Sequence, residues 1–393
     1  MSNDHFTETT SQGWFSRIGG AFAGVLVGVI MIVVCVGVLA WNENRAVRTE
    51  RALNEGAGLV ATVASTAIDP ANEGRLVHAT GETTVTEPLV DEEFGVTATG
   101  VRLVRQPEMY QWREDTKSET RQKLGGGEDT VTTYDYVRVW SSSAIDSSAF
   151  ERPQGHENPE FEIEAASITA QDARLGAFEL NDDIIEQIGG ARAVRLDETQ
   201  QQGVTDTVGE GVIVSPTTLY LGEHPEAPEI GDVRVSYEVT PTSEISVVAA
   251  QSGDGFAPYR ARNGEPVLLV ADGAVAASEM FASAQDANRM ILWIVRAAGI
   301  VFLIVGFGLI LNPLKVLADV VPLFGSIVGM GTGLIAFVLG TLVGTVTIAV
   351  AWFAVRPLLS LVILAIGGAV AFAFWRFGRR SLKKARATEP TAA

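Results

Sequence analysis

The residue best suited to chemistry is His156, in the run Gly155-His156-Glu157-Asn158-Pro159. A histidine oriented by a carboxylate such as Glu157 or Asp146 can act as a general base for a nucleophile. Candidate nucleophiles near it in the sequence are Ser141, Ser142, Ser143, Ser147 and Ser148. A serine hydrolase also needs its serine on a sharp turn, and the sequence contains no Gly-x-Ser-x-Gly. We therefore predict no catalytic residue and favour a turn formed by the glycine and the Asn-Pro pair, which the histidine caps by hydrogen bonds.

The spacing of possible metal ligands argues against a metal site. The histidines are far apart in the sequence, at His5, His78, His156 and His224. The single cysteine, Cys35, lies in an apolar run, and no His-x-x-x-His occurs. Acidic groups such as Asp182-Asp183 lack the graded spacing of a calcium loop and are typical of a solvated face. We predict neither a metal nor an organic cofactor.

The most unusual run in the chain is Glu108-Met109-Tyr110-Gln111-Trp112. On a β-strand, Glu108, Tyr110 and Trp112 share one face, while Met109 and Gln111 share the other. Tyrosine and tryptophan are enriched both in packed cores and at surfaces that bind partners or lipid headgroups. We favour the packed aromatic cluster and keep the partner- or lipid-binding surface as the alternative.

The elements that hold these residues are predicted from the distribution of charge. The 393 residues carry a net charge of −18, yet their mean hydropathy is +0.21. Residues 42–290 carry a net charge of −24, and the rest of the chain carries +6. A long acidic region is therefore flanked by apolar, weakly basic ones. This pattern excludes a uniformly soluble globule and a nucleic-acid partner bound by phosphate neutralisation.

Four apolar runs are long enough to cross a membrane as helices, since about 20 residues span the hydrocarbon core. The predicted transmembrane helices are 18–42, 291–312, 326–350 and 357–375. A cleaved signal peptide is the competing interpretation of the first run. Its 25 uncharged residues, Ile18 to Asn42, are nearly double a usual signal core, which favours a membrane anchor.

The basic tail sets the predicted orientation. Six cations lie between Arg376 and Arg386, and positive charge accumulates on the cytoplasmic side of a membrane. Residues 376–393 and, after an even number of spans, residues 1–17 are then cytoplasmic tails. Residues 43–290 form the extracytoplasmic domain, which is periplasmic or luminal.

The extracytoplasmic domain is predicted to be a β-rich α+β unit. Its clearest strand is Asp232 to Val239, where Val233, Val235, Tyr237 and Val239 alternate with polar residues. Further β-rich stretches are Thr83 to Thr86, Gly95 to Arg105, Thr130 to Trp140, Val212 to Leu221, Ser243 to Ala250 and Val267 to Ala271. We predict a hairpin at Asn263-Gly264, a helix at Ile184 to Ile188 capped by Asn181, and a continuation of the first span to about Asn54. We predict loops at Asp115 to Asp129 and Thr199 to Gly209.

Glycines recur at four-residue spacing in two of the predicted spans, which lets helix backbones approach closely. They are Gly20, Gly24 and Gly28 in the first span, and Gly325, Gly329, Gly333, Gly340 and Gly344 in or before the third. The pattern fits packing within one protomer and packing between protomers. Ionisable residues such as Arg296 and Asp319 lie near span ends, where they can snorkel, which argues against an ion-coupled transporter.

Several motifs together resemble the LUMA family, transmembrane protein forty-three. They are Trp41-Asn-Glu-Asn-Arg-Ala-Val-Arg-Thr49, the Glu108 to Trp112 run, Gly155 to Pro159, and Gly231 to Tyr237. With one span before the large domain and three after it, the resemblance covers about residues 14 to 380. The acidic composition, rich in alanine, valine and glycine, favours a bacterial member of the family.

The resemblance implies a multi-pass membrane protein without a defining enzymatic activity. Animal members are described in the endoplasmic reticulum and inner nuclear membrane, where they self-associate and organise membrane protein complexes. A bacterial member would lie in the cytoplasmic (inner) membrane. We expect a scaffold linked to lipid or envelope homeostasis, whose partners are the lipid bilayer, further copies of the chain and unidentified membrane proteins. The alternative is an enzyme or oligomeric channel with its site in the extracytoplasmic domain or between protomers.

Overall fold

The computed structural model describes residues 4–209, 211–320 and 322–353, together with positions 365, 366, 369 and 372. The predicted fourth span, 357–375, and the basic tail, 376–393, lie outside the continuous described ranges. The helices bounded in the described residues are α1 (Trp14–Leu59), α2 (Asp182–Ile185), α3 (Glu198–Val208), α4 (Ala277–Ala318) and α5 (Pro322–Phe353).

The chain divides into two compact units. The sheet unit contains Ala52–Lys117 and Thr133–Ala284, with the start of the N-terminal strand. The helical unit contains Glu8–Arg51, Ser118–Thr132 and the described residues from Gln285 onward. The helical unit therefore includes the turn of a long hairpin whose strands begin and end in the sheet unit.

The larger sheet has eight strands and is mostly antiparallel. Its main order is β1 (Asp4–Gln12), β7 (Glu128–Ser141), β6 (Arg102–Gln122), β14 (Val233–Thr240), β13 (Thr218–Leu221) and β12 (Val212–Val214). Two short strands extend it, β8 (Ala166–Thr169) on β6 and β11 (Arg192–Ala193) on β14. In β14 the side chains of Val233, Val235, Tyr237 and Val239 are buried, which confirms the predicted alternation.

The second sheet has seven strands. Its order is β19 (Leu269–Asp272), β15 (Glu244–Ser252), β16 (Gly255–Ala257), β10 (Phe178–Glu179), β9 (Arg174–Leu175), β3 (Leu76–Thr84) and β2 (Ala61–Ala64), with an additional pairing of β15 and β3. Two hairpins complete the strands, β4 (Leu89–Asp91) with β5 (Val96–Ala98), and β17 (Tyr259–Arg260) with β18 (Pro266–Val267). The second hairpin pairs Tyr259 with Val267, as predicted from Asn263-Gly264.

Among the described residues, the sheet unit has two clusters of buried apolar side chains. The larger cluster includes the fully buried Leu103 and Met109 of β6, Phe178 of β10 and Ile184 of α2. Phe178 stacks on Phe256 with ring centroids 4.7 Å apart. Removing such side chains from water stabilises the unit by about 1.5–3 kcal/mol each, which explains how a domain without disulfides folds.

Two predicted loops are wrong. Residues 115–129 form the distal part of the β6–β7 hairpin, where threonine and serine side chains bond across the strands. Ser118 contacts Thr132 at 3.1 Å, and Thr120 contacts Thr130 at 3.2 Å. β-Branched residues favour strands even where no apolar alternation marks them.

Residues 199–209 form most of helix α3. Asp197 accepts a hydrogen bond from the Gln200 backbone N–H at 2.8 Å, and the Gln200 side chain accepts one from the Asp197 N–H at 3.0 Å. This capping box satisfies two backbone donors at the helix start and was a signal available in the sequence. The predicted helix cap at Asn181 is confirmed, since its side chain accepts from the Ile184 N–H.

Helices α1, α4 and α5 are long and apolar enough to cross a membrane. Helix α1 continues beyond its apolar run to Leu59, which confirms the predicted extension. Large apolar side chains on these helices are exposed, including Leu26 at 65%, Val33 at 66% and Met330 at 71%. A bilayer is the solvent that accommodates such faces.

Within the helical unit, α1 and α4 pack antiparallel. Trp14 Nε1 donates to the Val316 carbonyl at 2.9 Å near one end, and Asn42 Nδ2 donates to the Leu292 carbonyl at 3.4 Å near the other. Between them, the backbones meet at Gly28 and Gly306. A Cβ added at Gly28 would lie 2.6 Å from the Gly306 carbonyl oxygen. This contact needs glycine because no larger residue leaves room for the carbonyl.

The other predicted glycines differ in their surroundings. Cβ atoms added at Gly340 and Gly344 would meet Ile304 and Ile300 of α4 at 2.7 and 2.9 Å. A Cβ at Gly24 or Gly329 would make ordinary contacts, at 3.9 and 3.4 Å, and one at Gly325 would clash with Asp319. Positions Gly20 and Gly333 have nothing within 4 Å. Within the protomer, only some of the glycines in each of the two helices are therefore at close helix–helix contacts.

We expect Gly28→Leu to destabilise the helical unit by about 1–3 kcal/mol, because the added side chain must push α1 away from α4. Thermal unfolding of the detergent-solubilised protein measures the effect. Gly20→Leu is the matched control, since it adds the same side chain on the same helix where no atom lies within 4 Å. Equal unfolding temperatures for the two variants would contradict the proposed backbone contact.

Candidate functional site

Two amide side chains fix the segment that follows β7 onto strand β6. Gln111 Nε2 donates to the Ser143 carbonyl at 3.1 Å, and its Oε1 accepts from the Ile145 N–H at 2.8 Å. Asn158 Oδ1 accepts from the Trp112 N–H at 2.7 Å, and its Nδ2 donates to the Trp112 carbonyl at 2.9 Å. An amide presents the same donor and acceptor as a peptide group, so Asn158 replaces a neighbouring strand beside Trp112.

His156 is packed between aromatic rings at this place. Its ring stacks on Tyr136 with centroids 3.9 Å apart, and Trp112 meets it edge-on at 4.8 Å. The histidine is 6% exposed, and its Nδ1 lies 3.0 Å from the Arg152 carbonyl, to which it donates in the matching tautomer. The His156 N–H donates to the Pro153 carbonyl at 2.9 Å. The structure thus places His156 inside a turn and an aromatic cluster.

The remaining residues of that motif shape the turn. Gly155 has a φ of +85°, which an L side chain rarely adopts. Its N–H donates to Glu157 at 2.9 Å, and this hydrogen bond holds the pKa of the Glu157 carboxyl below its usual range. Pro159 packs against Gly231, where a Cβ would lie 3.0 Å from the proline ring. The motif is therefore a set of local contacts joining the turn to β6 and β14.

Tyr136, which packs with His156 and Trp112, was not predicted from the sequence to have a role. Its hydroxyl donates to Glu114 Oε2 at 2.8 Å and accepts from the Arg152 N–H at 3.0 Å. Glu114 also accepts from the Glu151 N–H at 2.7 Å. Burial, with the hydrogen bond to Glu114, raises the pKa of Tyr136 to about 12. Only the fold could show this role, because Glu114 and Glu151 are far apart in sequence.

Ionisation of Tyr136 is expected only near pH 12, above the usual tyrosine pKa of about 10. Because the pKa is raised in the folded state, its stabilising contribution is complete below pH of about 10 and is lost as the pH rises towards 12. Ultraviolet absorbance of tyrosinate during alkaline titration measures this. Tyr136→Phe should remove one tyrosine from the step near pH 12 and leave the earlier steps unchanged; loss of an early step instead would contradict the assignment.

A second group of side chains forms what we call the aromatic–arginine face: Tyr110, Trp112, Arg138, Trp140 and Arg234. Tyr110 and Trp140 contact each other with centroids 5.2 Å apart. Arg138 lies over the Trp112 ring at 4.9 Å, and Arg234 lies over the Trp140 ring at 4.5 Å. These side chains are half-buried, except Arg138, which is exposed. The rings are therefore positioned by the sheet while part of each remains accessible.

The face is held in place by strand pairing and one ion pair. Arg234 of β14 is directly opposite Glu108 of β6, and the two side chains form an ion pair at 2.7 Å. Met109 and Gln111, on the other side of β6, are buried. Strand β6 therefore divides the Glu108 to Trp112 run between two faces, as predicted, and the aromatic side chains lie on the half-exposed face.

Two charged pairs in the helical unit differ from the expectation that such residues snorkel at span ends. Arg296 forms two hydrogen bonds to the carboxylate of Glu43, at 2.6 and 2.8 Å. Arg17 pairs with Asp319 at 2.7 Å. All four residues are buried, with at most 9% exposure. The expectation was wrong for Arg296 and Asp319 because their partners, hundreds of residues away in sequence, neutralise them in place.

Among the residues that the structure describes, no group of three or more histidine, cysteine, aspartate or glutamate side chains could hold a metal ion. An open cavity of about 530 Å³ lies in the sheet unit beside β11, lined in part by Thr97, Arg192, Arg195 and Gln200.

Comparisons with known proteins agree with the motifs. The family described as transmembrane protein 43 matches residues 109–357. Transmembrane protein 43 of Mus musculus is 32% identical, with 90% of this chain and 89% of the relative covered. Transmembrane protein 43 of Homo sapiens is 32% identical, with 91% of this chain and 90% of the relative covered. The homolog of Drosophila melanogaster is 31% identical, with 87% of this chain and 91% of the relative covered. No solved structure matches significantly. The chain is an integral membrane protein that belongs to the transmembrane protein 43 family.

Proposed function

We propose that this protein is a non-enzymatic scaffold that assembles with further copies of itself and organises other membrane proteins. Its membrane is the cytoplasmic (inner) membrane of a bacterium, where assembly would support lipid or envelope homeostasis. In a eukaryote the corresponding site would be the endoplasmic reticulum or inner nuclear membrane. The aromatic–arginine face of the sheet unit is the proposed contact surface between copies.

The composition of that face is the observation that carries the proposal. Tryptophan, tyrosine and arginine are the residues most enriched among those that dominate the energy of protein interfaces. Here Trp140 contacts both Tyr110 and Arg234, which fix its ring before any partner arrives. A fixed aromatic anchor loses little conformational entropy on binding.

The surroundings of His156 support a role in the fold over a role in catalysis. A general base must reach the proton that it removes, and here the His156 Nδ1 lies 3.0 Å from a backbone carbonyl, Tyr136 stacks on the ring and Trp112 packs perpendicular to it. The histidine therefore serves to hold the turn beside the proposed contact surface. This agrees with the interpretation preferred from the sequence.

Co-purification of two differently tagged copies tests the proposal. Wild-type copies expressed together and solubilised in mild detergent should be recovered as a pair. Trp140→Ala should reduce the recovery at least about tenfold, because truncating an interface anchor typically costs about 2 kcal/mol or more. Unfolding temperatures show whether the variant remains folded.

Ile213→Ala is the matched control, since Ile213 is 42% exposed on β12 of the same sheet and is not part of the face. It should leave recovery at the wild-type level. Arg138→Gln, which alters an exposed member of the face, provides a second variant that should fold normally. Recovery that is insensitive to both Trp140→Ala and Arg138→Gln, or wild-type copies that do not co-purify, would refute the proposed contact.

A further inference from the structure

Three arginines follow the apolar run of α1 in a part of the sequence that is otherwise strongly acidic. They are Arg45, Arg48 and Arg51, which we call the arginine stripe. Residues 42–290 carry a net charge of −24, so three cations within seven residues are unusual there. All three belong to the helical unit. The proposed contact between copies, which lies in the sheet unit, does not use them.

The arginine stripe shares one side of α1 with an exposed tryptophan. Because an α-helix turns about 100° per residue, all three arginines project within about 80° of Trp41. Glu43 and Glu50, the acidic residues of the same segment, project about 160–180° away from Trp41. Trp41 is 62% exposed, two of the arginines are exposed and Arg45 is half-buried. This side of α1 therefore presents positive charge next to an aromatic ring.

Two tryptophans indicate where this end of the helical unit meets the membrane surface. Trp41 lies at the end of the apolar run, and the exposed Val38 precedes it by about one turn. The hydrogen bond from Asn42 to the Leu292 carbonyl places Trp293 of α4 at nearly the same level. Trp293 is also 62% exposed. Since tryptophan is enriched at the level of lipid headgroups, we place the headgroup layer at Trp41 and Trp293.

The arginine stripe begins within reach of the lipid phosphates. Arg45 and Arg48 are about 6 and 10 Å beyond Trp41 along the helix, and Arg51 is about 15 Å beyond it. The headgroup layer is roughly 5–8 Å thick on each side of the bilayer. Side chains on a helix tilt towards its N-terminus, which is the membrane side here, so Arg45 and Arg48 can reach back into that layer. Arg51 acts mainly through its charge, within about one Debye length of 8 Å.

We propose that the arginine stripe binds the phosphate of an anionic phospholipid, whose acyl chains pack along the apolar part of α1 below Trp41. Guanidinium groups bind phosphate oxygens through paired N–H donors. The exposed apolar side chains of the same helix, such as Val34 and Val38, provide a surface for the chains. A phospholipid contacts both surfaces with one molecule, whereas a soluble phosphate or an acidic peptide would use only the arginines.

Native mass spectrometry of the full-length protein in detergent tests the proposal. Dioleoyl phosphatidylglycerol and dioleoyl phosphatidylcholine are titrated separately, so that only the headgroup differs. Wild type should bind phosphatidylglycerol at least about tenfold more tightly, because each cation near the headgroups contributes about a fivefold factor. Arg48→Gln should lower the phosphatidylglycerol affinity about fivefold and leave that for phosphatidylcholine unchanged. Arg48→Lys, which keeps the charge, should retain most of the wild-type preference.

Arg192→Gln is the matched control, since Arg192 is an exposed arginine of the sheet unit, and it should leave both affinities at their wild-type values. If unfolding temperatures show that Arg48→Gln does not fold, Arg51→Gln decides, with an expected loss of about twofold. Arg45 is left intact because it also donates to Asn288 at 3.2 Å.

Two results would overturn the proposal for the wild-type protein. One is equal affinity for the two lipids. The other is displacement of phosphatidylglycerol by excess inorganic phosphate, because a site for soluble phosphate needs no acyl chains. A folded Arg48→Gln protein that binds phosphatidylglycerol as tightly as wild type would overturn it as well, and Arg51→Gln with wild-type affinity would do so where Arg48→Gln does not fold.

Discussion

Arg296→Ala is expected to lower the free energy of unfolding by about 3–5 kcal/mol, because it leaves the carboxylate of Glu43 buried without its cation. The Glu43 side chain is 1% exposed and that of Arg296 is 9% exposed, so water cannot replace the lost partner. The pair joins α1 to α4 within the helical unit. Thermal or denaturant unfolding in detergent measures the loss.

Arg289→Ala is the matched control for this experiment. Arg289 lies two turns earlier on α4 and pairs with Asp286, but both side chains are about two-thirds or more exposed, at 67% and 73%. Exposed pairs of this kind contribute about 0–1 kcal/mol. The exchange Glu43→Arg with Arg296→Glu should recover part of the stability. Equal effects of Arg296→Ala and Arg289→Ala would contradict a buried, stabilising pair.

The second large effect is expected at Asp91 in the core of the sheet unit. Asp91 accepts hydrogen bonds from Arg105 at 3.1 and 3.2 Å and from the Tyr237 hydroxyl at 2.8 Å. Burial, with the bond to Asp91, raises the pKa of Tyr237. Asp91→Ala leaves the buried Tyr237 hydroxyl without its acceptor and removes the buried one of the two carboxylates that pair with Arg105, so we expect a loss of about 3 kcal/mol or more.

Glu93→Ala is the matched control, because it removes a more exposed carboxylate that pairs with the same arginine. Glu93 also pairs with Arg105, at 2.6 Å, but its side chain is 56% exposed, compared with 5% for Asp91. Its removal should cost no more than about 1 kcal/mol. Unfolding monitored by tryptophan fluorescence of the detergent-solubilised protein compares the two. If Glu93→Ala proved as damaging as Asp91→Ala, the buried carboxylate would not be the centre of the network.

The architecture could be predicted where one local property dominates. The apolar run before Asn42 specifies a spanning helix by length alone, and the alternation in β14 specifies one buried strand face. Helix α3 was missed because Gly203 and several threonines weaken its helical propensity, so its capping box and its contacts determine the helix. Only the distal part of the long hairpin, residues 115–129, was predicted as a loop, because it is polar and has no apolar alternation.

The candidate site could be predicted only in part, because it depends on distant contacts. The alternation rule placed Tyr110 and Trp112 on one side of β6. It could not show that Asn158 binds the Trp112 backbone from 46 residues away, or that Tyr136 stacks on His156. Glu43 and Arg296 are 253 positions apart, so the sequence shows each only as a charged residue at the end of its own span and does not show that they pair.

The mass of the purified particle tests the scaffold proposal most directly. Size-exclusion chromatography with light scattering gives the protein mass after subtraction of detergent. The account predicts a multiple of the 41.8 kDa chain mass for wild type and for Ile213→Ala, and a shift towards a single chain for Trp140→Ala. A wild-type particle that contains one chain at every concentration would contradict assembly through the aromatic–arginine face.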